Sequence, residues 1–244
     1  MEDLQFLFFV AMLVVSFLYA SVGHGGASGY LALMAIFLFP PQEMKINALV
    51  MNIAVSGLSF LSFYQQERFQ RRIFIKLALL SIPMAMLGGY MQLSSDWFKI
   101  ALGIVLVLPI LKFLGLIPGW KIVERTPGDW MLYAAGASIG LFSGLLGIGG
   151  GIILTPLVIL LGWSDVKQAA MLSALFIFVN SASGLIGASF GNLEFSDSLI
   201  WMVPAVVLGG FAGATMGSQI SYTDILKKII AVVLVFAVYK LWFT

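Results

Sequence analysis

Two stretches of this chain are too apolar to sit in water and too long to cross a bilayer once. Leu4–Gln42 and Trp130–Ser164 contain no Asp, Glu, Lys or Arg, whereas one helical crossing takes about 20 residues. Each stretch must therefore be two segments. Each is also interrupted by glycines, at Gly23-His24-Gly25-Gly26 in the first and at Gly147-Ile148-Gly149-Gly150-Gly151 in the second. Glycine is a poor helix residue, and a break at membrane depth exposes backbone N–H groups where no water can satisfy them. The same break twice, about half the chain apart, predicts a duplicated membrane fold with a binding site where the two breaks meet.

Composition excludes a soluble domain. Of the 244 residues 61% are hydrophobic and 10% are charged, where a soluble domain carries roughly a quarter charged residues. The net charge of +2 implies no nucleic-acid partner, and the absence of cysteine removes disulfides, thiolate metal sites and Cys nucleophiles. The start, MEDLQFLFFV, is acidic ahead of its apolar run. A secretory signal begins with a basic region, so this reads as a retained first membrane segment.

The gaps between charged islands delimit the spans. In each Gly-broken pair the second member, about Ala27–Phe39 and Ile152–Leu161, is short. At about 1.5 Å per residue it reaches only part-way across a ~30 Å core. The pair is then either a re-entrant hairpin with its tip near the midplane, or a long first helix followed by a tilted, broken second one. Three ordinary spans follow each pair: about Ile46–Tyr64, Ile73–Leu93 and Phe98–Ile117, then about Gln168–Phe190, Ser198–Ile220 and Ile225–Phe243. Local likenesses link the halves, with Ile82–Gly89 resembling Val203–Gly210 and Glu43–Lys45 resembling Asp165–Lys167. The expected fold is an all-α polytopic membrane protein. Residues 1–118 form one repeat of five hydrophobic segments, residues 119–128 a linker, and residues 129–244 a second repeat, all in one membrane domain.

An odd number of segments per half should invert the second half relative to the first. Loop charges agree with that expectation. The strongest basic island, Arg68, Arg71, Arg72 and Lys76, should be cytoplasmic. Counting from it, Lys112–Arg125 and Lys227-Lys228 also fall inside, while Glu2, Asp3, Glu194 and Asp197 fall outside. Both termini are then expected outside, in a bacterial inner membrane.

Between the islands the interior carries no carboxylate. Cation and proton pumps usually need one. An HExxH protease needs more than the single histidine present, and no GxSxG or phosphate-loop context occurs. What remains is neutral: backbone N–H groups at the breaks, with Ser21, His24, Ser28, Asn47, Asn52, Ser143, Thr155, Gln168, Ser173, Asn180 and Ser183. Donors without negative charge suit an anion, and a helix that starts after a break points its positive end at the gap. One terminus contributes at most about 2 kcal/mol, so several direct hydrogen bonds are needed as well. The candidate substrate-binding residues are Gly23, His24, Gly25, Gly26, Ser28, Asn52, Gly149, Gly150, Gly151, Ser173 and Asn180. Lys45 and Lys167 begin corresponding helices and are candidates for an access path. His24 is the one intramembrane imidazole, a group that titrates near working pH. No metal, cofactor or catalytic residue is expected. A homodimer is the candidate assembly, in contact with lipid.

The two Gly motifs, with Thr155-Pro156 behind the second and Leu-Gly-Gly at Leu87–Gly89 and Leu208–Gly210, resemble those of the sulfite exporter TauE/SafE family. The likeness covers nearly the whole chain. It implies transport of sulfite, organosulfonates or related small sulfur anions through a bacterial cytoplasmic membrane. The first motif departs from the usual pattern, with His24 inside it, Ala27 where a third glycine is common, and Ala32 where the second repeat has Pro156. The expected function is a secondary transporter working by alternating access. The alternatives are a passive anion channel and an intramembrane enzyme or assembly factor.

Overall fold

The computed structural model describes residues 2–64, 69–116, 126–191 and 195–219, with isolated positions near the C-terminal end. Among these residues the chain is entirely helical: α1 (Glu2–Ala20), α2 (Ala27–Ile36), α3 (Pro41–Tyr64), α4 (Arg71–Tyr90), α5 (Ser95–Phe113), α6 (Asp129–Leu146), α7 (Gly151–Leu160), α8 (Val166–Ser189) and α9 (Leu199–Gln219). Most of the expected linker, Glu194, Lys227, Lys228 and nearly all of the expected tenth segment lie outside the described residues. Four helices, within α3, α4, α8 and α9, are long and apolar enough to cross a membrane.

Helix lengths repeat along the chain. The series α1 to α5 has 19, 10, 24, 20 and 19 residues, and α6 to α9 has 18, 10, 24 and 21. The short member of each pair begins right after the glycine cluster.

The α1–α2 pair is a hairpin. Ser28 Oγ donates to Tyr19 Oη at 3.0 Å, and Tyr30 Oη donates to Ser16 Oγ at 3.0 Å. Near its open end the Phe8 ring lies 4.7 Å from Phe37 and 5.5 Å from Phe39 between centroids. The chain therefore turns at the glycines, and α2 runs back alongside α1. The entry to α6 and the exit from α7 likewise line one pocket, so the second pair also returns to its own end.

Packing crosses between the two series. α6 lies along α4 and α9 along α1. Glycines spaced four apart make both contacts. Gly136, Gly140 and Gly144 rest on the backbone of Leu77, Ser81 and Ala85, and Gly209, Gly213 and Gly217 rest on that of Leu13, Phe17 and Ser21. A Cβ at any of these six glycines would meet a backbone carbonyl. Close backbone approach through small residues is how helices associate where lipid removes the hydrophobic drive. The outward faces of α4 and α9 stay apolar, with Ile75, Leu79, Leu208 and Phe211 exposed, as bilayer contact requires. Between the two helix pairs α3 packs on α8, and this central pair carries the glycine turns.

Candidate functional site

The two turns share left-handed backbone at their first glycine and at the residue before the short helix, and differ between, where Gly149 has φ of 71° and Gly25 has no positive φ. Gly23 and Gly147 have φ of 75° and 74°, and the residues before α2 and α7, Gly26 and Gly150, have φ of 94° and 81°. A side chain in this left-handed region is strained by about 1–3 kcal/mol, so glycine is the fitting residue. Neither Gly26 nor Gly150 offers a side-chain cap to its helix, and both short helices are ten residues long. Each short helix thus presents its positive end at the turn.

The two turns meet on one residue pair of the central helices. A Cβ placed on Gly25 would lie 2.5 Å from Asn52 Oδ1 and 3.0 Å from Ile177 Cγ2. One placed on Gly149 would lie 2.6 Å from Asn52 Nδ2, 2.7 Å from Ile177 Cγ2 and 3.0 Å from Ser181 Oγ. Asn52 is fully buried and ties the parts together. Its Oδ1 accepts from the N–H of Ala27, the first residue of α2, at 3.1 Å, and its Nδ2 donates to Ser181 Oγ on α8 at 3.4 Å. The third glycine of the second motif also has a local reason. A Cβ at Gly151 would fall on Ile177 Cδ1, whereas Ala27 at the matching place carries its methyl in the buried interior.

His24 joins the first turn to α7. Its Nδ1 lies 3.1 Å from the Val22 carbonyl, which only accepts, so Nδ1 carries a hydrogen. Its Nε2 lies 3.0 Å from Thr155 Oγ1, and Thr155 Oγ1 lies 2.7 Å from Ser173 Oγ. In the neutral imidazole Nε2 accepts from Thr155, and Ser173 supplies the next hydrogen. In the imidazolium Nε2 donates, and the hydroxyl chain runs the other way. Either direction keeps the three side chains linked.

The remaining expected residues divide. Gly25, Gly149 and Gly151 are at the meeting point, with Ser173 beside Gly151, whereas Gly23 packs on Ala170, Gly26 on Tyr30 and Gly150 on Ile139 and Phe176. Ser28 turns back within its own hairpin to Tyr19. Asn180 donates to the Phe176 carbonyl at 2.7 Å, and its Oδ1 is buried without a hydrogen-bond partner. Ser143, whose Cβ is 3.4 Å from a Cβ placed on Gly150, also has a buried hydroxyl without a partner. Lys45 is buried, and its ammonium donates to the carbonyls of Gly88, Gly89 and Met91 at 3.2, 2.7 and 3.0 Å. It closes the carbonyl end of α4. Lys167 is exposed at the start of α8. The two lysines sit at different depths because α3 and α8, both 24 residues long, align end to end. That alignment sets Gln42 against Lys167, Lys45 against Ala170 and Asn52 against Ile177. The glycine contacts follow it, since Gly23 packs on Ala170 and Gly147 on Lys45. Ser181 and Ile177 were not among the expected site residues. A lone serine and isoleucine inside an apolar span carry no signal until the opposite helix is in place.

Among the described residues, the buried polar side chains are Ser, Thr, Asn, His24 and Lys45, with no carboxylate. The meeting point thus offers hydrogen-bond donors and two positive helix ends.

The family model for the sulfite exporter TauE/SafE matches residues 7–241. The chain belongs to the TauE/SafE family. Among curated relatives, the probable membrane transporter protein y4hK of Sinorhizobium fredii is 33% identical over 236 residues, covering 95% of this chain and 96% of that one. The probable membrane transporter protein YunE of Bacillus subtilis is 25% identical over 215 residues, covering 79% and 78%. No solved structure matches. Family membership and these relatives indicate a multi-pass membrane transporter, and the apolar helices described above fit that class.

Proposed function

We propose that this chain is a secondary transporter for a small sulfur oxyanion or organosulfonate, built from two inverted repeats of five segments in a bacterial inner membrane with both termini outside. The observation that carries this reading is the approach of the two glycine turns, ahead of α2 and α7, to Asn52, which caps α2 by accepting from the Ala27 N–H and reaches Ser181 on α8. Partial positive charge from both helices and neutral donors favour an anion at this point. The repeated helix lengths support the duplication, and the sulfur-anion class rests on the family.

Transport then proceeds by alternating access around the turns. The cross-packing of α1 with α9 and of α4 with α6 suggests that the moving bodies are these pairs with their short helices. α3 and α8 form the surface they move on. A potential negative inside favours anion exit by about 2.3 kcal/mol per charge per 100 mV, so export needs no coupled ion. Uptake needs one, and His24 is the group positioned to carry a proton.

The test is a panel of sulfite, thiosulfate, methanesulfonate and acetate, scored for binding and for flux in proteoliposomes. Protein-dependent flux of sulfur anions, weakened at least tenfold by Asn52→Asp, supports the reading. Asn52→Asp keeps the acceptor for Ala27 and adds a negative charge where the anion sits. A panel without any protein-dependent flux or binding would remove the substrate class. A passive channel through the same site would instead give single-channel currents and no counterflow.

A further inference from the structure

The two ends of the molecule carry pockets in corresponding places with opposite chemistry. One of about 890 Å³ lies between the start of α4, the entry to α6 and the turn from α7 to α8. Arg71, Arg72, Gln70, Trp163, Ser164 and Gln168 line it, with Asp165 as its one acidic residue. The other, of about 550 Å³, lies between the start of α1, the end of α2 and the start of α9. It is lined by Phe8, Phe9, Phe37, Phe39 and Trp201 and has no charged residue. These are the same three places in the repeated helix series, α6 matching α1, α7 matching α2 and α4 matching α9.

The pockets open at opposite ends. Phe39, in the aromatic pocket, lies two residues before the start of α3. The start of α3 and the end of α4, Gly89–Leu93, line a third pocket of about 250 Å³. The basic pocket lies at the other end of α4, whose 20 residues rise about 30 Å.

The basic pocket is built to receive rather than merely to be charged. Gln70 Nε2 donates to the Trp163 carbonyl at 3.2 Å and to Gln168 Oε1 at 2.7 Å, which fixes the α7–α8 turn against the start of α4. Ser164 is buried and its Oγ has no hydrogen-bond partner, and neither does Gln70 Oε1. Arg72 is held by Asp129 at 2.9 Å, with Lys76 on the same carboxylate. Asp165 is turned to the Gln168 N–H at 2.8 Å, where it caps α8. Among the described residues, both acids near the mouth are thus already engaged, and Arg71 stands exposed at the rim.

We propose that this basic pocket is an anion-collecting vestibule, with Arg71 attracting the oxyanion and Ser164 Oγ donating to it, so that the transporter captures its substrate more tightly from this face than from the aromatic one. The inference rests on the anion-transport reading above. A hydrated anion gains local concentration in a mouth lined by positive charge. The described lining of the aromatic mouth carries no charge that would hold it.

The test uses the full chain, oriented in proteoliposomes, with initial rates of methanesulfonate flux measured from each face. Wild type should half-saturate at lower concentration from the vestibule face. Arg71→Gln should raise that concentration about two- to fivefold from this face only, leaving the maximal rate and the other face unchanged, and Arg71→Lys should restore it. Raising the ionic strength should bring wild type to the Arg71→Gln value. An equal half-saturation for wild type and Arg71→Gln, or an equal shift on both faces, overturns the vestibule. A second readout separates this from the transport reading: methanesulfonate quenching of Trp163 fluorescence in purified protein, defined by subtraction of Trp163→Phe. Quenching abolished by Ser164→Ala, without flux of any sulfur anion, keeps the vestibule and removes the transport reading. Flux without Trp163 quenching removes the vestibule alone.

Discussion

Asn52 and Ile177 occupy matching positions on two helices of equal length, and there the two series stop being alike. Around the turns, the amide of Asn52 faces the butyl group of Ile177, His24 stands where the second turn has Ile148, and Thr155 stands where α2 has Leu31. A site of two equal helix ends is thereby made polar on one side. The His24–Thr155–Ser173 chain is the part of it that protonation can reverse. His24→Gln should therefore flatten whatever dependence of flux on pH the wild type shows, since imidazole is the side chain whose charge change falls nearest neutral pH. An unaltered pH profile would remove any proton role for this side chain. The motif glycines and His24 were legible in sequence because they break an apolar run. Asn52 and Ser173 were legible as candidates too, but the groups they touch were not. Asn52 reaches Ser181 across 129 positions of chain, and Ser28 lies next to the motif yet turns to Tyr19.

At the scale of helices, glycine does two different things, and only one was legible from the turns. The clusters at Gly23–Gly26 and Gly147–Gly151 fix where α2 and α7 begin, so those starts were read to within a residue. α3 begins at Pro41 rather than near Ile46 because its first turn is polar, with Gln42 and Glu43. Proline is well suited to a first helical position, but apolar counting passes over such a turn. The four-residue spacing of glycines in α6 and α9 marks close packing, and which helix they pack on follows only from the fold. A Cβ at Gly213 would meet the Phe17 carbonyl, while one at Gly57 would find ordinary contact with the Phe178 ring at 3.5 Å. Gly213→Ala should then destabilise the protein by about 1–3 kcal/mol through overpacking. Gly57→Ala should be neutral or stabilise it by up to about 1 kcal/mol through helix propensity. Thermal unfolding in detergent compares the two directly. Equal midpoints for the two variants would mean that the α1–α9 contact is looser than described.

For the whole molecule, what matters is how charge is spread across the membrane. The meeting point of the turns has donors and no described carboxylate, one mouth is basic, and the other is aromatic. An anion that crosses such a molecule alone carries its full charge through the field. Its distribution at equilibrium is then set by the potential, about 2.3 kcal/mol per charge at 100 mV, or roughly fiftyfold at 25 °C. Methanesulfonate is a fixed monoanion and reads this directly. In proteoliposomes held at about 100 mV negative inside by a potassium gradient, it should settle near fiftyfold in favour of the outside, whatever the pH gradient. Movement with one proton would cancel the charge, and the distribution would follow the pH difference and ignore the potential. The His24→Gln variant divides these cases further. If the wild type follows pH and the variant follows potential, the proton crosses by way of His24. If both follow potential, the imidazole serves only to hold Thr155 and Ser173 against the first turn, and transport is driven by the field alone.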